Sequence, residues 1–337
     1  MAQYMEKAPD LSICIVSYNV QNELRKCLNS IQQHVKNLSY EILLVDNDSL
    51  DQTADMIVKE FPAIQFFPQK KNIGFAAGCN VAIKASKGTM ILLLNPDTIL
   101  HEQSLEKMTA FLDTHPEIGI IGPQLLNTDG TIQNGLRQFP TAAVILARYT
   151  FLKKFPFFRT RIDRYRMRNA DLSVFMEVDQ VSGAAMMFSR KTLDRIGLMD
   201  ERFFIFCEEV DFCRRAREKN LSVCYLPDAQ ITHSGGQSRK QVNNLVQFYR
   251  FESYMKYLQK NMRPFSYLLF MIFFKMLFSL TLLTECFIDL FLRNLYVLIG
   301  LWNSSFNHSK KFLNWENKYQ YRKYFLKNKW INFLIHY

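Results

Sequence analysis

Residues 90–98 read M-I-L-L-L-N-P-D-T, an uninterrupted apolar run that ends in a polar turn. Apolar runs of about four to eight residues, bounded by turn residues, are typical of strands buried on both faces. This turn carries Asp97 and predicts a carboxylate at the carboxyl end of a buried strand. Such a carboxylate can hold a divalent cation that also takes diphosphate oxygens. The simpler interpretation is a proline-set turn in which Asp97 caps the next helix.

Strands and helices alternate on both sides of this segment. The other predicted strands span residues 11–17, 40–46, 64–68, 118–123, 181–189 and 223–226. The predicted helices span residues 23–35 (with Asn22 as cap), 53–61, 76–85 and 103–115, and a further helix lies within 206–220. This order predicts an α/β fold, Rossmann-like, with a mostly parallel central sheet and helices on both faces. Ligands of such sheets bind at the carboxyl ends of the strands, where Ser17, Asn19, Asp46, Asp48 and Asp97 fall.

The alternation breaks at residues 124–180, which we interpret as an insertion facing the second substrate. We therefore predict a catalytic domain over residues 1–240, a hydrophobic helical segment that associates with a membrane over 241–305, and a basic aromatic tail over 306–337.

The formal net charge of +11 is concentrated in two segments. Residues 148–168 hold eight basic side chains against one acidic one, and residues 306–337 hold seven against one. Aromatic residues are interleaved with these cations, as at an anionic lipid surface. Nucleic acid also accepts such a pattern, and an ordinary solvated face is the simpler interpretation. We expect a membrane surface and no nucleic acid.

Residues 265–283 carry a single charge, Lys275, over the length of a membrane span. Continuing to residue 302 gives roughly 57 Å of helix, too long for one pass. Two passes, helices lying in the interface and a buried soluble helical pair all remain open. A charged residue every four positions, at Glu285, Asp289 and Arg293, favours the in-plane arrangement.

Seven cysteines form no C-x-x-C pair, and residues 11–16 are too short for a signal-peptide core. We expect buried, reduced thiols and a location at the cytoplasmic face of a membrane, peripheral or monotopic.

The segment C-E-E-V-D-F-C-R-R-A, residues 207–216, opens a predicted helix with adjacent carboxylates. Helical spacing places Glu209 on the apolar, inward face, where a shielded carboxylate suits a general base. Glu208 shares a face with Asp211 and fits better as a first-turn acid that complements the helix dipole. A third candidate, H-S-G-G-Q-S from His233, offers an imidazole beside glycines; alone it is weak.

Six ordered segments over about 230 residues resemble glycosyltransferase family 2, in its rhamnosyltransferase-like branch with a GT-A fold. They are I-V-S-Y-N (15–19), L-L-V-D-N-D-S-L-D (43–51), N-I-G-F-A-A-G-C-N (72–80), L-L-L-N-P-D-T (92–98), V-S-G-A-A-M-M (181–187) and L-M-D-E-R-F-F-I-F-C-E-E-V-D-F-C-R-R (198–215), followed by the His233 glycines.

The resemblance implies that Asp46 recognises the base or ribose of a nucleotide. It implies that Asp97 and His233 hold Mg²⁺ or Mn²⁺ at the diphosphate, and that Glu209 deprotonates the acceptor hydroxyl. The donor site would comprise Ser17, Asn19, Asp46, Asp48, Asn72, Gly74, Asn95 and Asp97. The acceptor side would include Gly183, Glu208 and Asp211.

Two departures from the family pattern matter. Asn95 stands where many members carry the first acid of D-x-D, so fewer carboxylates hold the metal. Glu209 stands where Asp is frequent, which moves the acceptor slightly further away.

We therefore expect an inverting hexosyltransferase that moves a sugar, such as rhamnose or another hexose, from a dTDP-, UDP- or GDP-sugar to a lipid-linked or polysaccharide acceptor of the cell envelope, and that can form oligomers. A non-catalytic, membrane-docked sugar-nucleotide-binding or scaffold protein of the same fold is the alternative. A nucleotidyltransferase is disfavoured by the loop Y-N-V-Q-N-E after the first strand, and a dinucleotide-binding oxidoreductase by the missing G-x-G-x-x-G.

Overall fold

The computed structural model describes residues 8–235 and 243–300. These residues fall into two compact units, one within Met1–Pro140 plus Asp163–Tyr257 and one within Thr141–Ile162 plus Leu258–Tyr337. The predicted tail, residues 306–337, lies outside the described residues. The predicted domain bounds and the role of residues 124–180 stay predictions.

The first unit is built on a mixed β-sheet. Its strands are β1 (Leu11–Ser17), β2 (Tyr40–Asp46), β3 (Gln65–Pro68), β4 (Met90–Leu94), β5 (Thr98–Leu100), β6 (Ile118–Leu126), β7 (Ile132–Gln133), β8 (Met176–Glu177), β9 (Ala185–Ser189) and β10 (Ser222–His233). Within the described residues the order is β3-β2-β1-β4-β9-β6-β10-β5, with β7 beside β6 and β8 beside β10.

One half of the sheet is parallel and the other mixed. Strands β3, β2, β1 and β4 are parallel, as expected for strands joined by helices. Strand β9 runs antiparallel between β4 and β6, and β10 is parallel to β6. The predicted α/β fold class is confirmed, but the sheet is mixed and not mostly parallel, because β5, β7, β8 and β9 pair in antiparallel fashion. Strand β9 brings its amino end to the edge where β4 ends.

Helices cover the sheet. In the first unit they are α1 (Gln21–His34), α2 (Thr53–Glu60), α3 (Phe75–Ala85), α4 (Ser104–Thr114), α7 (Arg190–Ile196) and α8 (Glu208–Glu218), and α9 (Asn243–Asn261) begins there. Alternate residues of β1 enter different core clusters: Ile13 and Ile15 pack in the cluster that contains Leu24 of α1, whereas Cys14 packs in the cluster that contains Phe212 of α8. Because both faces are covered, every residue of β1 is buried.

Two local predictions need correction. Helix α1 begins at Gln21 after Val20, which makes no side-chain capping bond, so Asn22 is not the cap. Strand β10 extends to His233, well beyond the predicted residues 223–226, because it pairs with both β6 and β5 after a register shift between Leu226 and Gln230. His233 therefore ends a strand.

The second unit contains α5 (Ala142–Tyr149), a 3₁₀ helix (Phe151–Lys154) and α10 (Pro264–Gly300); helix α6 (Pro156–Tyr165) begins in it. Helix α10 is unbroken over 37 residues, which leaves no turn for a two-pass hairpin in its length. Among the described residues, one window, Pro264–Thr281, is long and apolar enough to cross a membrane.

Candidate active site at the carboxyl edge of the sheet

Strand register brings three predicted site segments to one edge of the sheet. Ser17 and Asp46, the last residues of β1 and β2, are directly paired. Strand β4 ends beside β1, and the turn carrying Asp97 follows it. Leu94 pairs with Ala185, and the Asn95 amide donates to the Ala184 carbonyl at 2.9 Å. The segment containing Gly183 therefore reaches the same edge.

A donor-side cluster, defined as Ser17, Asn19, Asp46, Ser49 and Leu50, is closed by its own hydrogen bonds. Asp46 Oδ1 accepts from Ser17 Oγ at 2.8 Å and from Ser49 Oγ at 2.6 Å, and Asp46 Oδ2 accepts from the Ser49 amide at 3.0 Å. Asn19 Oδ1 accepts from the Leu50 amide at 2.7 Å. Buried Asp46 therefore orders the two loops, whereas Asp48 beside it is exposed.

Gly74 begins the next site segment in a conformation that requires glycine. Its φ is +90°, and an added Cβ would lie 2.6 Å from the Phe204 carbonyl oxygen. Asn72 Oδ1 accepts from the Gly74 amide at 2.9 Å, and Asn47 Nδ2 donates to the Gly74 carbonyl at 3.0 Å. Asn47 thereby fastens the start of α3 to the loop after β2, and the Phe75 amide, which donates to the Phe204 carbonyl at 2.7 Å, fastens it to the loop before α8.

Sequence reasoning missed Asn47 and Asn80. Asn80 Nδ2 donates to the Met199 carbonyl at 2.9 Å, and Asn80 Oδ1 accepts from the Met199 amide at 2.9 Å. Both asparagines lie inside segments that resemble the family, residues 43–51 and 72–80, so the resemblance could have pointed to them. An amide with no reactive chemistry does not stand out until its partner, 119 positions away for Asn80, is known.

Asp97 and His233 meet at the end of β10. His233 Nε2 lies 3.3 Å from Asp97 Oδ1, with 6% and 9% of the two side chains exposed. The Ser234 amide donates to the Asp97 carbonyl at 3.0 Å. His233 Nε2 is buried and makes no hydrogen bond.

This pair fits a divalent cation. Two ligands of one Mg²⁺, each at about 2.1 Å, lie about 3 Å apart in an octahedral shell. Within residues 8–235 and 243–300, no group of three or more His, Cys, Asp or Glu residues could hold a metal. Further ligands would have to come from water or from a bound ligand.

The turn around Asp97 rests on α1. Thr98 Oγ1 donates to the Asn95 carbonyl at 2.7 Å, and Cys27 Sγ lies 3.5 Å from Thr98 Oγ1. Burial raises the pKa of Cys27 to about 12, so the thiol is neutral.

The six cysteines with described side chains are free and buried, as predicted; Cys286 lies outside that set.

The burial predicted for the two glutamates at the start of α8 is reversed. Glu208 is 5% exposed and Asp211 is 1% exposed, whereas Glu209 is half-buried. Asp211 Oδ2 pairs with Arg215 Nε at 2.9 Å. Burial and the nearby Glu208 charge raise the pKa of Cys79 on α3. Helical spacing along α8 did not reveal that Glu208 and Asp211 are buried as well.

Glu209 lies over Gly183. A Cβ added to Gly183 would be 3.4 Å from Glu209 Cβ and 3.6 Å from Glu209 Cγ. Two consecutive residues with positive φ, Phe206 and Cys207, turn the chain into α8. Glu209 therefore reaches the segment that Asn95 hydrogen-bonds; the side chain as a whole is half-buried, and its Oε2 is buried.

A cavity of about 730 Å³ lies elsewhere, along α4 and the register shift of β10. His101, Lys107, Phe111, Asp228 and Gln230 are among its lining residues, and none is a predicted site residue.

The sequence model of glycosyl transferase family 2 matches residues 12–197, more than half of the chain. The chain belongs to glycosyltransferase family 2. The predicted family and enzyme class are thereby confirmed: the protein is a glycosyltransferase.

Curated relatives within the family are moderately similar. An N-acetylglucosaminyl-diphospho-decaprenol L-rhamnosyltransferase of Mycobacterium tuberculosis is 25% identical over 240 residues, covering 68% of this chain and 77% of the relative. The low-salt glycan biosynthesis hexosyltransferase Agl10 of Haloferax volcanii is 26% identical over 236 residues, covering 68% of this chain and 69% of the relative.

Solved structures share the fold. The mannosyltransferase PcManGT of Pyrobaculum calidifontis, in complex with GDP-Man and Mn²⁺, aligns over 96% of this chain and 88% of its own with a TM-score of 0.53 and 13% identity. GalNAc-T7 with UDP, GalNAc and Mn²⁺ aligns over 68% of this chain and 44% of its own with a TM-score of 0.51 and 16% identity. The GT-A fold predicted for the family is thus confirmed.

Proposed function

We propose that this glycosyltransferase moves a hexose or deoxyhexose, such as rhamnose, from a nucleoside diphosphate sugar to a lipid-linked saccharide, with inversion at the anomeric carbon. The observation that carries the proposal is that His233 Nε2 makes no hydrogen bond and lies 3.3 Å from Asp97 Oδ1, at the edge of the sheet to which Glu209 also extends. A carboxylate and an imidazole at this spacing fit a cation that takes diphosphate oxygens.

On the donor side, Asp97 and His233 would hold Mg²⁺ or Mn²⁺. The bound cation would neutralise charge that develops on the departing nucleoside diphosphate. Ser17, Asn19 and Asp46 order the loops that would face the nucleotide. PcManGT and GalNAc-T7, which share the fold, are solved with Mn²⁺ and with GDP-Man or UDP.

On the acceptor side, Glu209 would take the proton of the attacking hydroxyl. The hydroxyl oxygen forms the new glycosidic bond as the bond between the anomeric carbon and the diphosphate oxygen breaks. Both electrons of that bond leave with the nucleoside diphosphate, which needs no proton. One basic carboxylate is therefore enough, in contrast to the carboxylate pair of a glycoside hydrolase.

Two observations support a lipid-linked acceptor: the name of a relative and the exposed apolar side of α10 in the second unit. The mycobacterial relative's name specifies a diphospho-decaprenol substrate. In the present chain, α10 exposes an apolar stripe along one side. Its members are Phe265, Leu268, Leu269, Ile272, Phe273, Met276, Leu280, Leu283 and Phe287. Such a stripe suits a lipid surface at which a lipid-linked acceptor would be presented.

The opposite side of α10 packs inside the second unit. Phe270, Met271, Phe274 and Phe278 are buried, and Thr281 Oγ1 accepts from the Phe151 amide at 3.1 Å. Phe151 begins the 3₁₀ helix that contains exposed Lys153 and Lys154. A helix crossing the bilayer through Pro264–Thr281 would carry Lys275 into hydrocarbon, which is costly. We therefore propose that α10 lies in the plane of the interface.

The charge of this unit favours anionic lipid. Residues 141–162 hold five basic side chains and no acidic one, and residues 258–300 hold four basic and two acidic ones. Phe155 and Phe157 are exposed beside these cations, and the Arg161 guanidinium lies 4.7 Å from the Phe157 ring centroid. We propose the cytoplasmic face of a membrane as the working location.

Incubation with dTDP-, UDP- and GDP-sugars, Mn²⁺ and a polyprenyl-diphosphate saccharide tests the reaction. We expect one donor to be consumed only when acceptor is present, and we expect a product of inverted configuration by NMR. A folded protein that binds a sugar nucleotide yet transfers no sugar to any lipid-linked saccharide would favour the non-catalytic scaffold.

Spin labels at Leu268→Cys, Met276→Cys and Leu283→Cys test the orientation of α10 on vesicles containing phosphatidylglycerol. An in-plane helix gives similar immersion depths, about 5–10 Å below the headgroups. A spanning helix gives depths that differ by up to roughly 22 Å over these fifteen residues, at ~1.5 Å each. Equal binding to neutral vesicles at low salt would contradict the role of the cations.

A further inference from the structure

We infer that Gln133 is a positioning residue that holds His233 in the tautomer with a bare Nε2 directed at Asp97. Gln133 ends β7, a short strand paired with β6, and lies 100 positions from His233. The inference rests on the metal role in the proposed function. It assigns a task to a residue that carries no reactive group of its own.

Gln133 holds both the ring and the backbone of His233. Gln133 Oε1 lies 2.8 Å from His233 Nδ1, and Gln133 Nε2 donates to the His233 carbonyl at 3.2 Å. The same Nε2 donates to Asn127 Oδ1 at 2.9 Å. With acceptors on both sides of its amide nitrogen, Gln133 has to direct its oxygen at the imidazole.

The orientation of the Asn127 and Gln133 amides follows from Asp129, which lies at the other end of the same series of hydrogen bonds. The Asp129 carboxylate can only accept, and Thr131 Oγ1 donates to its Oδ1 at 2.6 Å. The Thr131 oxygen is then left to accept from Asn127 Nδ2 at 2.9 Å. Asn127 therefore directs Oδ1 at Gln133. Asp129, Thr131, Asn127 and Gln133 thus form a hydrogen-bond relay that ends at His233. Because it starts from a carboxylate, the donor and the acceptor of each of its hydrogen bonds are determined.

At the end of the relay, His233 Nδ1 must carry the proton, because Gln133 Oε1 cannot donate. In the neutral ring Nε2 then carries a lone pair. This explains why Nε2 lies 3.3 Å from Asp97 Oδ1 without a hydrogen bond: both atoms are acceptors. A cation between them would satisfy both, and an outer hydrogen bond of this kind orients a metal-binding histidine.

The relay belongs to the turn between β6 and β7. Gly130 occupies that turn with φ +81°, and the Asn127 amide donates to the Thr131 carbonyl at 2.8 Å. Strand β6 pairs with β10 through Leu126 and Thr232, next to His233. The turn is thereby held against the residue that it orients.

The tautomer of His233 is measured in the metal-free protein by ¹⁵N NMR of labelled histidine, with His233→Gln to identify its signals. We expect a protonated Nδ1 and a bare Nε2 in the wild type, and a mixture of tautomers in Gln133→Leu. A wild type protonated at Nε2, or an unchanged tautomer in Gln133→Leu, would overturn the inference.

Mn²⁺ binding, measured by EPR without substrates, gives the second readout. We expect Gln133→Leu to weaken Mn²⁺ binding about 10- to 100-fold. The control is Gln180→Leu, at a more buried glutamine whose Nε2 also donates to a backbone carbonyl, that of Gln138 at 2.7 Å. Equal Mn²⁺ affinity in Gln133→Leu and wild type would overturn the positioning role. A wild type with the expected tautomer but no Mn²⁺ binding would instead overturn the proposed metal role.

Discussion

The two polar clusters at the edge of the sheet use their hydrogen-bonding groups differently. In the donor-side cluster, Asp46 receives three hydrogen bonds from Ser17 and Ser49 and is 4% exposed. In the second cluster, formed by Asp97 and His233, the His233 Nε2 lies 3.3 Å from Asp97 Oδ1 and makes no hydrogen bond. In the first cluster the carboxylate is hydrogen-bonded to its own loops, whereas in the second His233 Nε2 can still bind a ligand. Substitutions should therefore reduce catalysis most near Asp97 and Glu209, and affect donor binding near Asp46.

Glu209→Gln should have the largest effect, because it removes the proposed base while keeping the shape of the side chain. We expect kcat to fall about 1,000-fold with little change in donor KM. The control is Glu218→Gln on the same helix, whose carboxylate is exposed and pairs with Arg214. A loss below about tenfold would assign the base to another residue.

Asp97→Asn should come next. Replacing one carboxylate oxygen by an amide nitrogen removes the anionic ligand, and we expect kcat/KM to fall about 100-fold as Mn²⁺ affinity falls. Exposed Asp113 on α4 provides the control, Asp113→Asn. Retention of full Mn²⁺ affinity would argue that Asp97 only shapes the turn.

Asp46→Asn tests the closed cluster. The new amide places hydrogens against the Ser17 and Ser49 donors and loosens the loops. We expect donor KM to rise about tenfold, equivalent to ~1.4 kcal/mol, with kcat less affected. Asp55→Asn, at an exposed position on α2, should leave both parameters unchanged. A fall in kcat with unaltered KM would mean that this cluster acts directly on the reacting groups.

Gly183→Ala should have the smallest effect. The added Cβ would meet Glu209 Cβ at 3.4 Å, so the glutamate has to shift by at most a few tenths of an ångström. We expect kcat to fall about threefold, since small displacements of catalytic groups are costly, with Mn²⁺ affinity unchanged. The bulkier Gly183→Val should lower kcat further. Equal kcat values for the two variants would show that the space at Gly183 does not determine the position of Glu209.

Much of the edge could be predicted from the sequence. Runs such as residues 11–17 and 90–94 are mostly apolar because both faces of their strands are covered. This apolar pattern can be read from neighbouring residues alone. The polar residue after each run then falls at the carboxyl edge of the parallel strands. The structure brings Ser17, Asp46 and Asp97 to that edge as predicted, while their roles stay predictions.

What the sequence by itself determined is the family, the fold class and the strands that end at the site. Only the tertiary structure decided that β9 runs antiparallel beside β4, that Glu208 is more buried than Glu209, and that Gln133 holds His233. Apolar periodicity is a property of neighbouring residues, so it can be read along one chain. The partner of a buried polar group depends on how distant segments pack, and its identity follows from the lowest free energy of the whole fold.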